Sequence, residues 1–143
     1  MASFNKFQAF VENEAEKVHN LGSDTLKVLL TNTAPVATNS VKADLTEISA
    51  GSGYSAGGTT VTVTTSAQSS GTYTLAGNKV TFTASGGSIG PFRYAVLYND
   101  TPTSPADPLI GWWDYGSAIT LTDTESLDVK FNNTDPGTIL TIT

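Results

Sequence analysis

The chain has 143 residues, no cysteine and a formal net charge of -6 at pH 7, with a sequence pI near 4.4. That length suits one domain with a core of its own, and the missing cysteines remove thiolate metal sites and cysteine nucleophiles. The acidic balance excludes the basic footprint of a nucleic-acid binder and disfavours anionic membranes. No apolar run is long enough to span a bilayer, and residues 1–6 lack the basic and apolar regions of a signal peptide. The expectation is a protein made in a cytoplasm, with no membrane and no nucleic-acid partner.

Residues 4–20 carry the one helical pattern. Phe4, Phe7, Val11, Ala15 and Val18 recur at three- and four-residue spacing, with Glu12, Glu14, Glu16 and Lys17 on the other side. Phe10 widens the stripe, Ser3 fits the N-cap and Gly22 fits the position just past the end. At about 1.5–3 kcal/mol per fully buried side chain, three phenylalanines should hold such a helix against the rest of the domain.

Strands dominate from there on. Residues 25–31 alternate Leu26, Val28 and Leu30 with Thr25, Lys27 and Thr31. Residues 32–44 form a loop with Pro35, 45–48 a short strand, and 49–58 a flexible glycine-serine loop without the Lys-Ser/Thr ending of a phosphate loop. Residues 59–66 alternate valine and threonine. The strands 72–75 and 79–84 flank Ala76-Gly77-Asn78, a hairpin-turn sequence. Residues 85–88 are a turn.

The segments 92–98 and 109–115 follow, joined by a proline-rich loop, and they are apolar on both faces. Gly116-Ser117 reads as a break before the last strands, 118–122, 127–131 and 138–143. Eight or nine short strands at this spacing imply a mainly β domain spanning residues 1–143. The expected form is an antiparallel β-sandwich, jelly-roll-like, with one N-terminal amphipathic helix as the lid over the doubly apolar pair.

Chemistry is sparse. His19, the only histidine, has no serine or cysteine elbow to serve, so a structural role is expected. Asp100, Asp107, Asp123 and Asp135 sit in turn sequences, where aspartate caps backbone N–H groups. Asp114 lies within a strand, so it is either exposed at an edge or paired; Arg93, the only arginine, is the candidate partner, for a structural ion pair rather than a catalytic one. No catalytic residue, cofactor or metal site is expected. Trp112 and Trp113 are adjacent and must point to opposite sides of their strand. Either one fills the core while the other packs under the helix, or one is exposed as an anchor for a protein or a sugar ring.

The opening Met-Ala-Ser-Phe-Asn-Lys-Phe-x-x-Phe-Val-Glu, Lys17-Val18-His19-Asn20-Leu21-Gly22, Thr31-Asn32-Thr33-Ala34-Pro35, and the segments 90–99 and 108–116 resemble a group of small structural proteins of tailed bacteriophages. Within that group the chain looks like a capsid decoration, or cement, protein. The resemblance implies a homo-oligomer, dimer or trimer, on the capsid surface of the virion, with the major capsid protein as partner. The residues that would divide between core and contact surface are Phe4, Phe7, Phe10, Trp112, Trp113 and Tyr115. The alternative is a tail or fibre component that binds a host receptor or glycan.

Overall fold

A computed structural model describes residues 2–143. The chain begins with β1 (Phe4–Lys6), a short helix α1 (Ala9–Ala15) and β2 (Leu26–Thr31). A 3₁₀ turn, Lys42–Asp44, precedes β3 (Thr59–Thr60), β4 (Val63–Ser69), β5 (Thr72–Gly77) and β6 (Val80–Thr83). The long strands β7 (Ile89–Asn99) and β8 (Leu109–Leu121) follow, then β9 (Ser126–Val129) and β10 (Gly137–Ile142). All the ladders are antiparallel and make three sheets, ordered β1-β8-β7-β2-β3, β10-β5-β4 and β6-β9.

The large sheet is buried on both faces at its centre, as its sequence implied. Leu26, Val28 and Leu30 of β2 and Ala95 and Leu97 of β7 face a main apolar cluster. That cluster also takes Leu75 from β5, Val80 and Phe82 from β6, Val129 from β9 and Ile139 from β10, so residues of all three sheets meet in it. The opposite face carries a smaller cluster of Phe7, Leu29, Val96, Tyr98 and Leu109, with Leu45 and Trp112 against it.

The lid over that second face is not the predicted helix. Only residues 9–15 are helical, and Phe4–Lys6 is an edge strand in register with Trp113, Trp112 and Gly111 of β8. Phe7 sits in the bend between β1 and α1, where its N–H donates to the Ile110 carbonyl at 3.1 Å. Phe7 and Leu45 therefore do the covering, while Phe10 turns to the main cluster. The expected stripe dissolves beyond that, with Val11 54% exposed. Sequence spacing could not show that β8 offers an unpaired edge. Ladder bonds to that edge, with Phe4 against Trp113, outweigh one more helical turn. Ser3 is not the cap. Gln8 holds that position without a side-chain bond, and Lys17, in the left-handed region at φ 64, turns the chain away before Gly22.

Three other expectations are corrected. Ala76-Gly77-Asn78 is a crossing between sheets, because β5 pairs with β4 and β10 while β6 pairs with β9. The tight hairpin lies earlier, at Ser70 (φ 51) and Gly71 (φ 83), both in the conformation a two-residue turn requires. Gly116 does not end a strand: at φ 86 it allows β8 to bend and continue to Leu121. Residues 45–48 make only the single bridge Thr31–Glu47.

Candidate interaction surface

Adjacent residues of a strand alternate sides, and this divides the predicted surface residues in two. Trp113, 3% exposed, packs with its ring centroid 5.4 Å from those of both Phe4 and Phe131. Phe4, Phe10 and Tyr115 join it on the main-cluster side. Trp112 is half-buried on the other side, 4.5 Å from the fully buried Phe7. The six residues therefore form a seam through β8 and no common patch. Gly111 is what admits Phe4 to the seam: a Cβ there would lie 2.1 Å from Phe4 Cε2.

Where the seam reaches the surface, an open groove of about 780 Å³ runs between β1 and β10. Phe4, Phe10, Trp113, Ile139 and Leu140 supply its apolar lining, with Lys6 among the polar residues around it. Tyr115 lies beyond it, half-buried, and burial pushes its hydroxyl up to about 12.

The polar side chains of this region bond within the fold. Arg93 grips Asp114 with two bonds, Nε to Oδ1 at 2.7 Å and Nη2 to Oδ2 at 3.0 Å. The Arg93 guanidinium, and then the Gly116 N–H, hold the Asp114 carboxyl below the usual range. The pair is partly exposed, so it orients the bend of β8 more than it stabilises the fold.

The expected flexible loop, 49–58, is tied down. The Tyr54 hydroxyl donates to Glu47 Oε2 at 2.6 Å and accepts the Leu30 N–H at 3.1 Å. Glu47 Oε2 also takes the Gly57 N–H, while the Tyr98 hydroxyl donates to the Gly57 carbonyl, both at 2.6 Å. Burial raises both tyrosines well above their ordinary value, and the Glu47 carboxylate adds to the shift at Tyr54. Tyr54 thus supplies the acceptor that β2 lacks where two-residue β3 has ended.

His19 lies beyond α1 rather than at its end. It is 5% exposed, with Nδ1 accepting from Asn99 Nδ2 at 3.1 Å while the same amide donates to Asp24 at 2.7 Å. Burial lowers the imidazole below its ordinary 6.5, and Asp24 only partly opposes this. Glu14 is shifted up from 4.5 by burial and by Asp24. The two shifts give stability opposite slopes. Below pH 6.5 the unfolded chain takes up a proton that folded His19 resists, so the His19 contribution is lost as pH falls from 7 toward 5. The Glu14 contribution is complete below pH 4.5 and is lost as pH rises through its raised folded value. Thermal melting of His19→Gln at pH 7, 6 and 5 should therefore lack the acid-side decline of the parent protein. An unchanged decline would remove His19 as its cause.

One exposed feature was passed over in the sequence. Strand β4 has one partly covered residue, Val63, and six exposed ones. Its signal was present in Thr64-Thr65-Ser66-Ala67-Gln68-Ser69, which opens on two strand-favouring threonines and has no apolar face to bury.

Among the described residues no group of three or more His, Cys, Asp or Glu side chains is arranged to hold a metal, and no helix is long and apolar enough to cross a membrane. Comparisons with protein-family models, curated proteins and solved structures gave no match.

Proposed function

We propose that this chain is a structural protein of a tailed-bacteriophage virion, a capsid decoration protein that binds across neighbouring major capsid subunits and stabilises the head. The observation that carries this reading is the use made of the segments with the strongest phage-protein likeness. Residues 90–99 and 108–116 supply β7 and the first half of β8, the central pair of the large sheet. Their aromatic residues are spent on packing, so function falls to sheet surfaces and edges. A sandwich related to the jelly roll belongs to the same proposal, supported by the cluster in which residues of all three sheets meet.

Such a protein works by adding contact area where shell subunits would separate under the pressure of packaged DNA. Single contacts are weak, and many copies act together through effective concentration. The groove between β1 and β10 is the proposed capsid contact, with Phe4 and Leu140 half-exposed at its walls. The tail or fibre alternative draws on an exposed tryptophan platform. Trp113 is buried and Trp112 lies against Phe7, so no observation favours it.

Imaging of purified virions tests the reading. Density for this chain is expected over the shell, and its confinement to the tail would overturn the proposal. Leu140→Glu places a charge in the groove and is expected to reduce head occupancy about tenfold or more while the folded circular dichroism spectrum persists. Full occupancy would remove the groove as the contact.

A further inference from the structure

The sheet β10-β5-β4 contains no charged residue. Its strands read Gly-Thr-Ile-Leu-Thr-Ile, Thr-Tyr-Thr-Leu-Ala-Gly and Val-Thr-Thr-Ser-Ala-Gln-Ser. Every acidic and basic residue of this acidic chain lies elsewhere. Strand β4 is one edge of that sheet, bonded to β5 alone and exposed on both faces after Val63.

Sheet edges carry unpaired N–H and C=O groups, and proteins normally blunt them with charge, proline, bulges or shortness. The edges of the other two sheets are treated in that way. β1 has three residues and ends in Lys6, β3 has two, and the β6-β9 ribbon carries the Lys79–Asp128 ion pair. At seven residues β4 is the longest edge, with no charge and no proline, and its one register shift falls at the start, between Val63 and Thr65. The Ser70-Gly71 turn then returns the chain directly into β5, and no other strand pairs with the outer side of β4.

We propose that β4 is a self-association edge. Two copies pair their β4 strands antiparallel about a two-fold axis, joining two three-stranded sheets into one of six. Charge and symmetry select a second copy as the occupant. In a two-fold contact the same patch meets itself, so a charge near the axis faces its own like. Two chains of net charge -6 repel, and a strand without charge is where they approach at least cost, with Glu14 and Lys17 the charged residues that share a pocket with its Ser66. Threonine and serine hydroxyls and the glutamine amide both donate and accept, so a strand of these residues is complementary to itself. Pairing satisfies edge groups otherwise left to water. The opposite edge, β10, and its groove stay free for another partner. The inference deepens the self-association part of the proposed function and is independent of its capsid part.

The test uses the full chain in sedimentation velocity from micromolar to near-millimolar concentration. The parent protein is expected to dimerise. Ala67→Lys, which puts two like charges beside the axis, should weaken the dimer about tenfold or more with the circular dichroism spectrum unchanged. Because the chain has no cysteine, Ala67→Cys gives a second readout that does not depend on the lysine variant folding. Under oxidant it should yield a covalent dimer, and Thr122→Cys, on an exposed turn, should not. A monomeric parent protein overturns the proposal. So does a dimer that Ala67→Lys leaves intact and Ala67→Cys fails to trap, which would place self-association elsewhere. A dimer with the expected responses and no head binding would instead sink the capsid reading and leave the edge standing.

Discussion

Trp113→Ala is expected to cost about 3–5 kcal/mol of folding stability, and Trp112→Ala about 1–2 kcal/mol. The residues are neighbours of the same type, so the difference measures their surroundings. Trp113 is almost fully enclosed, touches Phe4 and Phe131, and sits in the cluster to which all three sheets contribute. Its removal leaves a cavity whose walls belong to different sheets and cannot close together. Trp112 is half-buried and loses chiefly its contact with Phe7. A domain of this size has roughly 5–15 kcal/mol of net stability, so the first change takes a large share of it. Urea denaturation of the two variants checks the ranking. Equal losses would mean that the face assignment along β8 is wrong.

Gly58→Ala is expected to cost at least about 3 kcal/mol, through backbone strain and a buried hydrogen bond that is lost. Gly58 has φ +79, and a Cβ there would stand 1.9 Å from the Val28 carbonyl oxygen and 2.8 Å from Leu29 Cα. Both obstacles are backbone of a central strand, so no rotamer change relieves them. The loop must lift, and lifting it separates Gly57 from Glu47 and leaves the buried Tyr98 hydroxyl without its acceptor. Gly116→Ala is the control. Its φ of +86 is similar, but nothing stands within 4 Å of the added carbon. It should lose only the conformational term, about 1–2 kcal/mol. Hydrogen exchange adds a local check, because the Leu30 amide bonded to Tyr54 should lose protection in Gly58→Ala and keep it in Gly116→Ala.

The sequence showed most clearly those features that one strand or one pair of residues decides. β2 follows from its alternation of leucine and valine with polar residues. The two-faced burial of β7 and β8 follows from apolar residues at consecutive positions. The Arg93–Asp114 pair was foreseeable because the only arginine and an in-strand aspartate lay on neighbouring strands. What it hid depends on partners distant in the chain. The spacing of Phe4 and Phe7 suits a helix equally well, and only the open edge of β8 turns residues 4–6 into a strand. Gly77 resembles a turn glycine locally. Its small size is needed because a Cβ would come 2.9 Å from Val61 Cγ1 as the chain passes between sheets. The glycine-serine loop looked loose because its anchors, Leu30 and Tyr98, lie on other strands and Glu47 precedes it. Of the predicted surface residues, the sequence showed the aromatic density but not its division by β8 into two clusters.

The pairing of β1 with β8 also sets a timetable for synthesis. Asn5 and Trp112, bonded across that ladder, are 107 residues apart in the chain. At about 5–20 residues per second on a ribosome, Phe4 and Phe7 wait roughly 5–20 s before their partners on β8 have been made. During that interval the phenylalanines of the opening segment have neither β8 nor Trp113 to cover them. The nascent chain therefore offers a sticky amino-terminal segment to chaperones, and β8, once released, withdraws it. Docking of the opening segment is gated by the arrival of the eighth strand.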